Sequence, residues 1–187
     1  MFRAAFVFVA LGIGVMIWAF NDWRLGLSSS AEPQTIAAAD LVANGPGKNR
    51  HVKVTDYSVS ENFIAYGDDS GAFTSEWDKA WLVILPNGGG YCMVLRTTDV
   101  TDQLQLAMFE GEGEFQGMVV SDGNSLGSDL KNMLKKDFGH VEWDKIQVVD
   151  HNRHPTSTFV FLLKVIGGIG LCGVGAFFMY LGREELE

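Results

Sequence analysis

Two apolar stretches bracket this chain and constrain it more than anything between them. Ala4 to Phe20 is an unbroken uncharged run, and Val165 to Leu181 is a second. Thr158–Leu163 extends the second run on its N-terminal side, interrupted once by Lys164. At a rise of ~1.5 Å per helical residue each can cross a hydrocarbon layer roughly 30 Å thick, the first only just. The sequence therefore predicts a membrane anchor over residues 1–23, a linker over 24–34, a soluble domain over 35–154, a second anchor over 155–182 and a short tail over 183–187. The lipid bilayer is the first expected partner.

The first run also has the form of a secretory signal, with Arg3 ahead of it and small residues at Ser29-Ser30-Ala31. Its apolar block is longer than a signal core, and Trp18 and Trp23 stand where an aromatic belt places them. The reading is an uncleaved anchor. Within the second run, five glycines (Gly167, Gly168, Gly170, Gly173, Gly175) would each cost a soluble helix about 1 kcal/mol against alanine. In lipid, small residues let helix backbones approach. Gly168, Cys172 and Ala176 recur every four residues, as do Ala10 and Gly14 on the first run, so these five are the expected helix-packing residues. Lys164 is expected to snorkel toward the head groups. Arg3 and the terminal amine ahead of the first run, against a near-neutral Asp22/Arg24 flank, favour cytoplasmic termini with the domain on the outer, periplasmic or exoplasmic, face.

Charge is concentrated between the runs. Residues 21–157 hold 20 acids against 11 bases, a net of −9, and the ends are balanced at three of each. An acidic domain is repelled by phosphates, which excludes nucleic acid as a partner. Cys92 and Cys172 lie in different parts of the chain, so no internal disulfide is expected.

Inside the domain, Thr35 reads as the cap of a helix from Ile36, stopped by Asn44-Gly45-Pro46-Gly47. His51–Ser60 alternates like a strand, Glu61-Asn62 reads as a turn, and Phe63–Tyr66 as its partner. Gly67–Gly71 reads as a loop. Trp81–Leu85 and Tyr91–Leu95 around Gly88-Gly89-Gly90 form the clearest hairpin. Thr101–Phe109 fits helix or strand, Phe115–Val120 is a strand, Ser128 opens a helix that Gly139 ends, and Ile146–Val149 is the last strand. The order predicts an α+β fold, a small antiparallel-sheet domain, OB-like and partly closed as a barrel, flanked by two transmembrane helices. The tetrapeptide Glu76-Trp77-Asp78-Lys79 recurs as Glu142-Trp143-Asp144-Lys145. The flanks do not align, so the repeat reads as coincidence rather than duplication; the alternative is a shared structural job in which tryptophan covers the sheet end while the charges stay wet.

Around Asn44-Gly45-Pro46-Gly47, Asn49, His51-Val52, Val54-Thr55-Asp56 the chain resembles a group of uncharacterised bacterial membrane proteins in which two hydrophobic helices flank a small β-rich domain. The resemblance implies that layout and a bacterial source. It brings no activity and no site residue.

The polar clusters are weak candidates for chemistry. Glu110, Glu112 and Glu114 could meet a cation, but the further oxygen ligands of a calcium loop are missing. His151 and His154, three apart, could share a metal with Asp150 or Asp144, but Pro155 disfavours a helix there. Cys92, between Tyr91 and Met93, reads as a buried strand residue, although His51 or His140 could in principle activate it. The glycine trio lacks the lysine and helix of a phosphate loop. No catalytic residue and no cofactor is expected. The function that follows is a membrane-anchored, non-enzymatic interaction or assembly module, with a protein partner or a homo-oligomer formed through the helices or the domain. The alternative is a membrane-bound enzyme using carboxylates such as Asp56, Asp99 or the Glu110–Glu114 cluster, with or without a metal.

Overall fold

The computed structural model describes residues 2–67, 77–87, 92–139 and 141–184. The expected loop at 68–71, the glycine turn at 88–90, Tyr91, Glu76, His140 and the end of the tail lie outside the described residues. Along the chain run α1 (Phe2–Leu27), β1 (Gln34–Ala37), α2 (Ala38–Asn44), β2 (His51–Thr55), β3 (Tyr57–Tyr66), β4 (Lys79–Pro86), β5 (Met93–Thr97), α3 (Gln103–Gly111), β6 (Glu114–Asp122), α4 (Ser128–Phe138), β7 (Gln147–His151) and α5 (Thr158–Glu184). These fall into two compact units: Met1–Ser28 with Pro155–Glu187, and Ser29–His154.

The first unit is an antiparallel pair of helices, long and apolar enough to cross a membrane. They meet through small residues. Ala5 and Ala19 have no exposed surface. A Cβ on Gly12 would lie 2.6 Å from the Gly168 carbonyl oxygen, and one on Gly175 would lie 2.8 Å from that of Ala5. Along α1 the seam is Ala5, Gly12, Ala19 and along α5 Gly168, Gly175, Gly182, each at a spacing of seven. Seven is the repeat that keeps one face toward an antiparallel neighbour in a left-handed pair. The spacing of four expected from the sequence follows the seam only in part. Gly168 and Cys172 face α1, the Cys172 thiol 3.7 Å from the Val9 carbonyl oxygen, whereas Ala10, Gly14 and Ala176 are exposed and a Cβ on Gly14 would touch nothing.

At one end of this pair Lys164 does not simply snorkel. Its ammonium sits 2.7 Å from Asp22 Oδ2 and 4.0 Å from the centre of the Trp18 ring, and the Thr156 hydroxyl donates to the same carboxylate oxygen at 2.7 Å. Trp23 stacks on Phe161 beside them, with ring centres 4.6 Å apart.

The second unit is built on one mixed seven-stranded sheet in the order β1-β2-β6-β7-β5-β4-β3. This corrects the expected antiparallel barrel in two ways. β1–β2 and β5–β7 pair in parallel, and no ladder among the described residues joins β3 to β1 or β2, so the sheet is open. Yet a single residue, Asp56 with φ of 57°, links β2 to β3, which stand five places apart in the sheet. The sheet must curl until its two sides approach at that corner, where Asn87 N–H donates to the Asp56 carbonyl.

The concave face holds Val52, Val54, Tyr57, Leu82, Ile84, Met93, Leu95, Phe115 and Val149, covered by Leu41 of α2 and Phe109 of α3. The other face packs Val83, Cys92, Val94 and Val148 against Leu130 and Leu134 of α4. Each strand thus alternates between two cores, as a period of two requires. The two recurrent tryptophans serve opposite faces: Trp77 lies against the concave core beside Phe63, and Trp143 against the α4 side under Lys131 and Lys135.

Two local readings change. Gln34–Ala37 is a strand, and α2 starts at Ala38, two residues later than a Thr35 cap would place it. Glu61-Asn62 is not a hairpin turn but a bulge within β3, whose register against β4 shifts between Val59 and Phe63. The ambiguous 101–109 stretch is helix, because the Asp102 side chain accepts from Gln105 N–H at 2.7 Å and caps it.

Candidate functional site

β7 is the central strand, and its alternation sends consecutive polar residues to opposite faces. Asp150, 6% exposed, turns to one side, where its Oδ2 binds Arg96 of the neighbouring β5 and Arg153 at 2.8 Å. Its Oδ1 is buried without a hydrogen-bond partner among the described residues. Arg96 in turn lies over Trp81, 5.6 Å from the ring centre. A Cβ at Gly117 of β6 would run into the Asp150 backbone carbonyl, so glycine is what lets β6 lie against β7 there.

His151 turns to the concave face, edge-on to Phe109 and Phe115 at 5.4 and 6.4 Å between ring centres. Its Nδ1 lies 3.0 Å from the Thr97 hydroxyl and 3.2 Å from Asp99 Oδ2. Thr97 Oγ1 also accepts from Asp99 N–H at 3.0 Å, and Asn152, in the left-handed region with φ of 52°, donates its amide to Asp99 Oδ2 at 2.6 Å. These contacts fix the carboxylate beside the imidazole. Burial pulls the His151 pKa below the ordinary histidine value, while Asp99 and then Glu112 pull the other way without overcoming it. Burial thus favours the neutral ring.

His151 lines a cleft of about 330 Å³ with Asp99, Val100, Gln105, Met108, Phe109 and Glu112. Gln105 is held by its oxygen, which accepts from Thr101 N–H and hydroxyl. Glu112 is the C-terminal cap of α3. Tyr57 closes the interior beneath, its hydroxyl 3.4 Å from the Phe109 carbonyl and its pKa pushed up to about 12 by burial and then by Glu112 and Glu114. A separate cleft of about 530 Å³ lies between β4 and the start of α4, with Asp78, Lys79 and Asp129 of mixed sign on its wall.

The residues considered for a metal are dispersed. Glu114 pairs with Lys53 across β2–β6 at 2.7 Å, Glu110 is exposed on α3, and only Glu112 reaches the cleft. His154 stands edge-on to His51 at 5.4 Å, whereas His151 is held among Phe109, Phe115 and Thr97. Among the described residues no three histidine, cysteine, aspartate or glutamate side chains group closely enough to hold a metal ion. Asp56 forms the β2–β3 corner, with Thr55 Oγ1 3.2 Å from its carboxylate.

The motif around Asn44–Asp56 has structural work of its own. His51 is fully buried, its Nδ1 donating to the Ser30 carbonyl at 3.1 Å and its Nε2 accepting from the Gln116 amide at 2.9 Å. Asn49 clasps the same segment, taking Ser30 N–H and His51 N–H on Oδ1 and donating to the Glu32 carbonyl. Gly45 and Gly47, at φ of 70° and 62°, make the turn that aligns it.

Cys92 is buried in the α4-side core, and burial pushes its thiol pKa up to about 11. We expect Cys92→Ala to fold and to cost about 1 kcal/mol or somewhat more, and the native thiol to resist a water-soluble maleimide at pH 7. Rapid labelling of the folded protein would contradict this. No family model, no curated protein and no solved structure matches the chain.

Proposed function

We propose that this chain is an integral membrane protein with two spans that carries its α+β domain as a non-enzymatic interaction or assembly module. The observation that supports it most is the surface of the helix pair. Outside the seam, Phe6 is 72% exposed, Phe159 70%, Ile166 64% and Phe177 60%. A core helix of a soluble protein buries such residues, and a water-exposed patch of this extent is rare in a soluble monomer. Lipid is the solvent that suits it. The seam also supports retention of the first helix, because cleavage after α1 would strip Gly168 and Gly175 of the backbone they pack against.

Trp18, Trp23, Asp22 and Lys164 gather at one end of the pair, as aromatic and charged groups do at a membrane boundary. With two spans the termini share one side, and the charge ahead of α1 makes that side the cytoplasm. The interaction role draws on the domain's edges. β3 ends the sheet with ten residues, and Ser58, Glu61 and Asn62 on it are exposed. Among the described residues no strand pairs with the outer edge of β3; such an edge offers backbone groups to a partner, and the bulge at 59–63 restrains indiscriminate pairing.

A photoreactive residue at Asn62, in cells expressing the protein at native level, tests the module. A discrete adduct of higher mass in the membrane fraction is expected. Absence of adducts at Asn62, Ser58 and Glu61 alike would contradict a partner at this edge.

A further inference from the structure

We propose that the exposed face of α3 is a docking surface for the α4 face of a second copy of this chain, so that copies join front to back in one membrane. This rests on the reading of the domain as an interaction module and names its partner, at a place other than the β3 edge.

The sheet divides the charge of the domain. Between Arg96 and Lys131 the sequence has seven acids and no lysine or arginine. α3 lies within that stretch and covers the concave core through Phe109. The opposite face of the sheet is covered by α4, which packs inward through Leu130 and Leu134. Lys135 and Lys136 are exposed on α4, and the Lys131 and Lys135 ammonium groups lie 5.6 and 5.8 Å from the centre of the half-buried Trp143 ring. One face is therefore acidic, and the other sets lysines around an aromatic ring.

The acidic face also carries the apolar surface. Among the described residues of the domain, the large exposed apolar side chains are Leu104 at 72%, Met108 at 64% and Tyr66 at 48%. Leu104 and Met108 stand four apart on one side of α3, and the exposed Glu110 and Glu112 follow at its end. An apolar patch rimmed by charge is the form of a protein contact. Against α4 of another copy, Met108 would meet the Trp143 ring, a favourable partner for a thioether, and Glu110 and Glu112 would meet Lys135 and Lys136.

Other occupants fit less well. Anionic head groups are repelled by the same carboxylates. A symmetric pair would set acids on acids across α3, or lysines on lysines across α4. Complementary patches on opposite faces make a heterologous contact, which repeats from copy to copy and closes only if the rotation allows. Copies anchored in one bilayer share one orientation, as such a contact requires, and anchoring raises their effective concentration, so a small patch suffices.

The test uses two full chains with different epitope tags in native membranes, one carrying Met108→Cys and the other Asn132→Cys on the exposed side of α4, treated with a short bismaleimide. Expected are a product containing both chains, none from either variant alone, and bands above dimer from a chain carrying both substitutions. Glu110→Lys/Glu112→Lys in the first chain is expected to cut the mixed product at least about tenfold, and Lys135→Glu/Lys136→Glu in the second to restore it. All four positions are exposed, so the variants are expected to fold, checked by an unchanged near-ultraviolet dichroism spectrum. Absence of the mixed product, a product from Met108→Cys alone, or charge reversal without loss or without rescue would each overturn the proposal. In that event an adduct at Asn62 would leave the interaction module standing with a different partner, and failure at both places would remove the module as well.

Discussion

Gly12→Leu is expected to abolish the packing of α1 on α5, while Gly14→Leu, two residues away, is expected to leave it intact. A Cβ at position 12 would meet the Gly168 carbonyl at 2.6 Å and the Cys172 sulfur at 2.5 Å. Backbone oxygen cannot rotate away as a side chain can, so the helices must part. Overpacking of a tight contact costs about 1–3 kcal/mol when neighbours can shift, and here the contact itself is lost. At position 14 an added Cβ finds open space. A cysteine at Val9 beside native Cys172 provides the readout. Oxidation should join the two helices within one chain, seen as fragments that stay together after proteolysis of the domain. The Gly12→Leu background should lose that link and the Gly14→Leu background keep it. Equal crosslinking in both would mean that the seam does not run through Gly12.

The second large effect is expected at Asp150. Removing one partner of a buried ion pair costs about 3–5 kcal/mol because the other charge is left unpaired. Arg96 and Arg153 are roughly a third exposed and can turn to water, so we expect about 2–3 kcal/mol for Asp150→Ala. Urea unfolding of the full chain in detergent measures it. A double-mutant cycle with Arg96→Ala should give a coupling of at least about 1 kcal/mol. A coupling near zero would show Asp150 to be a packing residue whose charge is incidental.

The layout of the chain was legible because its signals are local. Two charge-free runs mark α1 and α5, Ser128 and Gly139 bound α4 to within a residue, and continuous apolar runs mark β4 and β5. What the sequence concealed depends on residues far apart. Gln34–Ala37 precedes an alanine-rich segment and reads as helix, but pairing with β2 makes it a strand. Glu61-Asn62 carries turn residues that a bulge accommodates equally well. The parallel pairing of β5 and β7 joins residues more than fifty positions apart, and nothing local announces it. On the helices, spacings of four and seven are both present, and only the partner's backbone decides between them.

The same holds for the cleft. His151 was visible as a candidate, but beside His154 and a metal. Strand alternation placed it instead with Thr97, the last residue of β5, and with Asp99 two residues on. Asp99 stood only as a carboxylate of an alternative enzyme. The motif around Asn49 and His51 was recognised as a pattern, and its role as a clasp on Ser30 came only with the fold.

The central claim is that both long helices sit in a bilayer and that α1 is retained. Alkaline carbonate extraction of membranes containing the native chain, tagged after Glu187, tests it directly. The account predicts that the protein stays in the pellet at its full mass, with its N-terminal segment still attached. Release into the supernatant would contradict membrane insertion, and a pelleted product beginning near Ser29–Glu32 would show that the first helix is a cleaved signal.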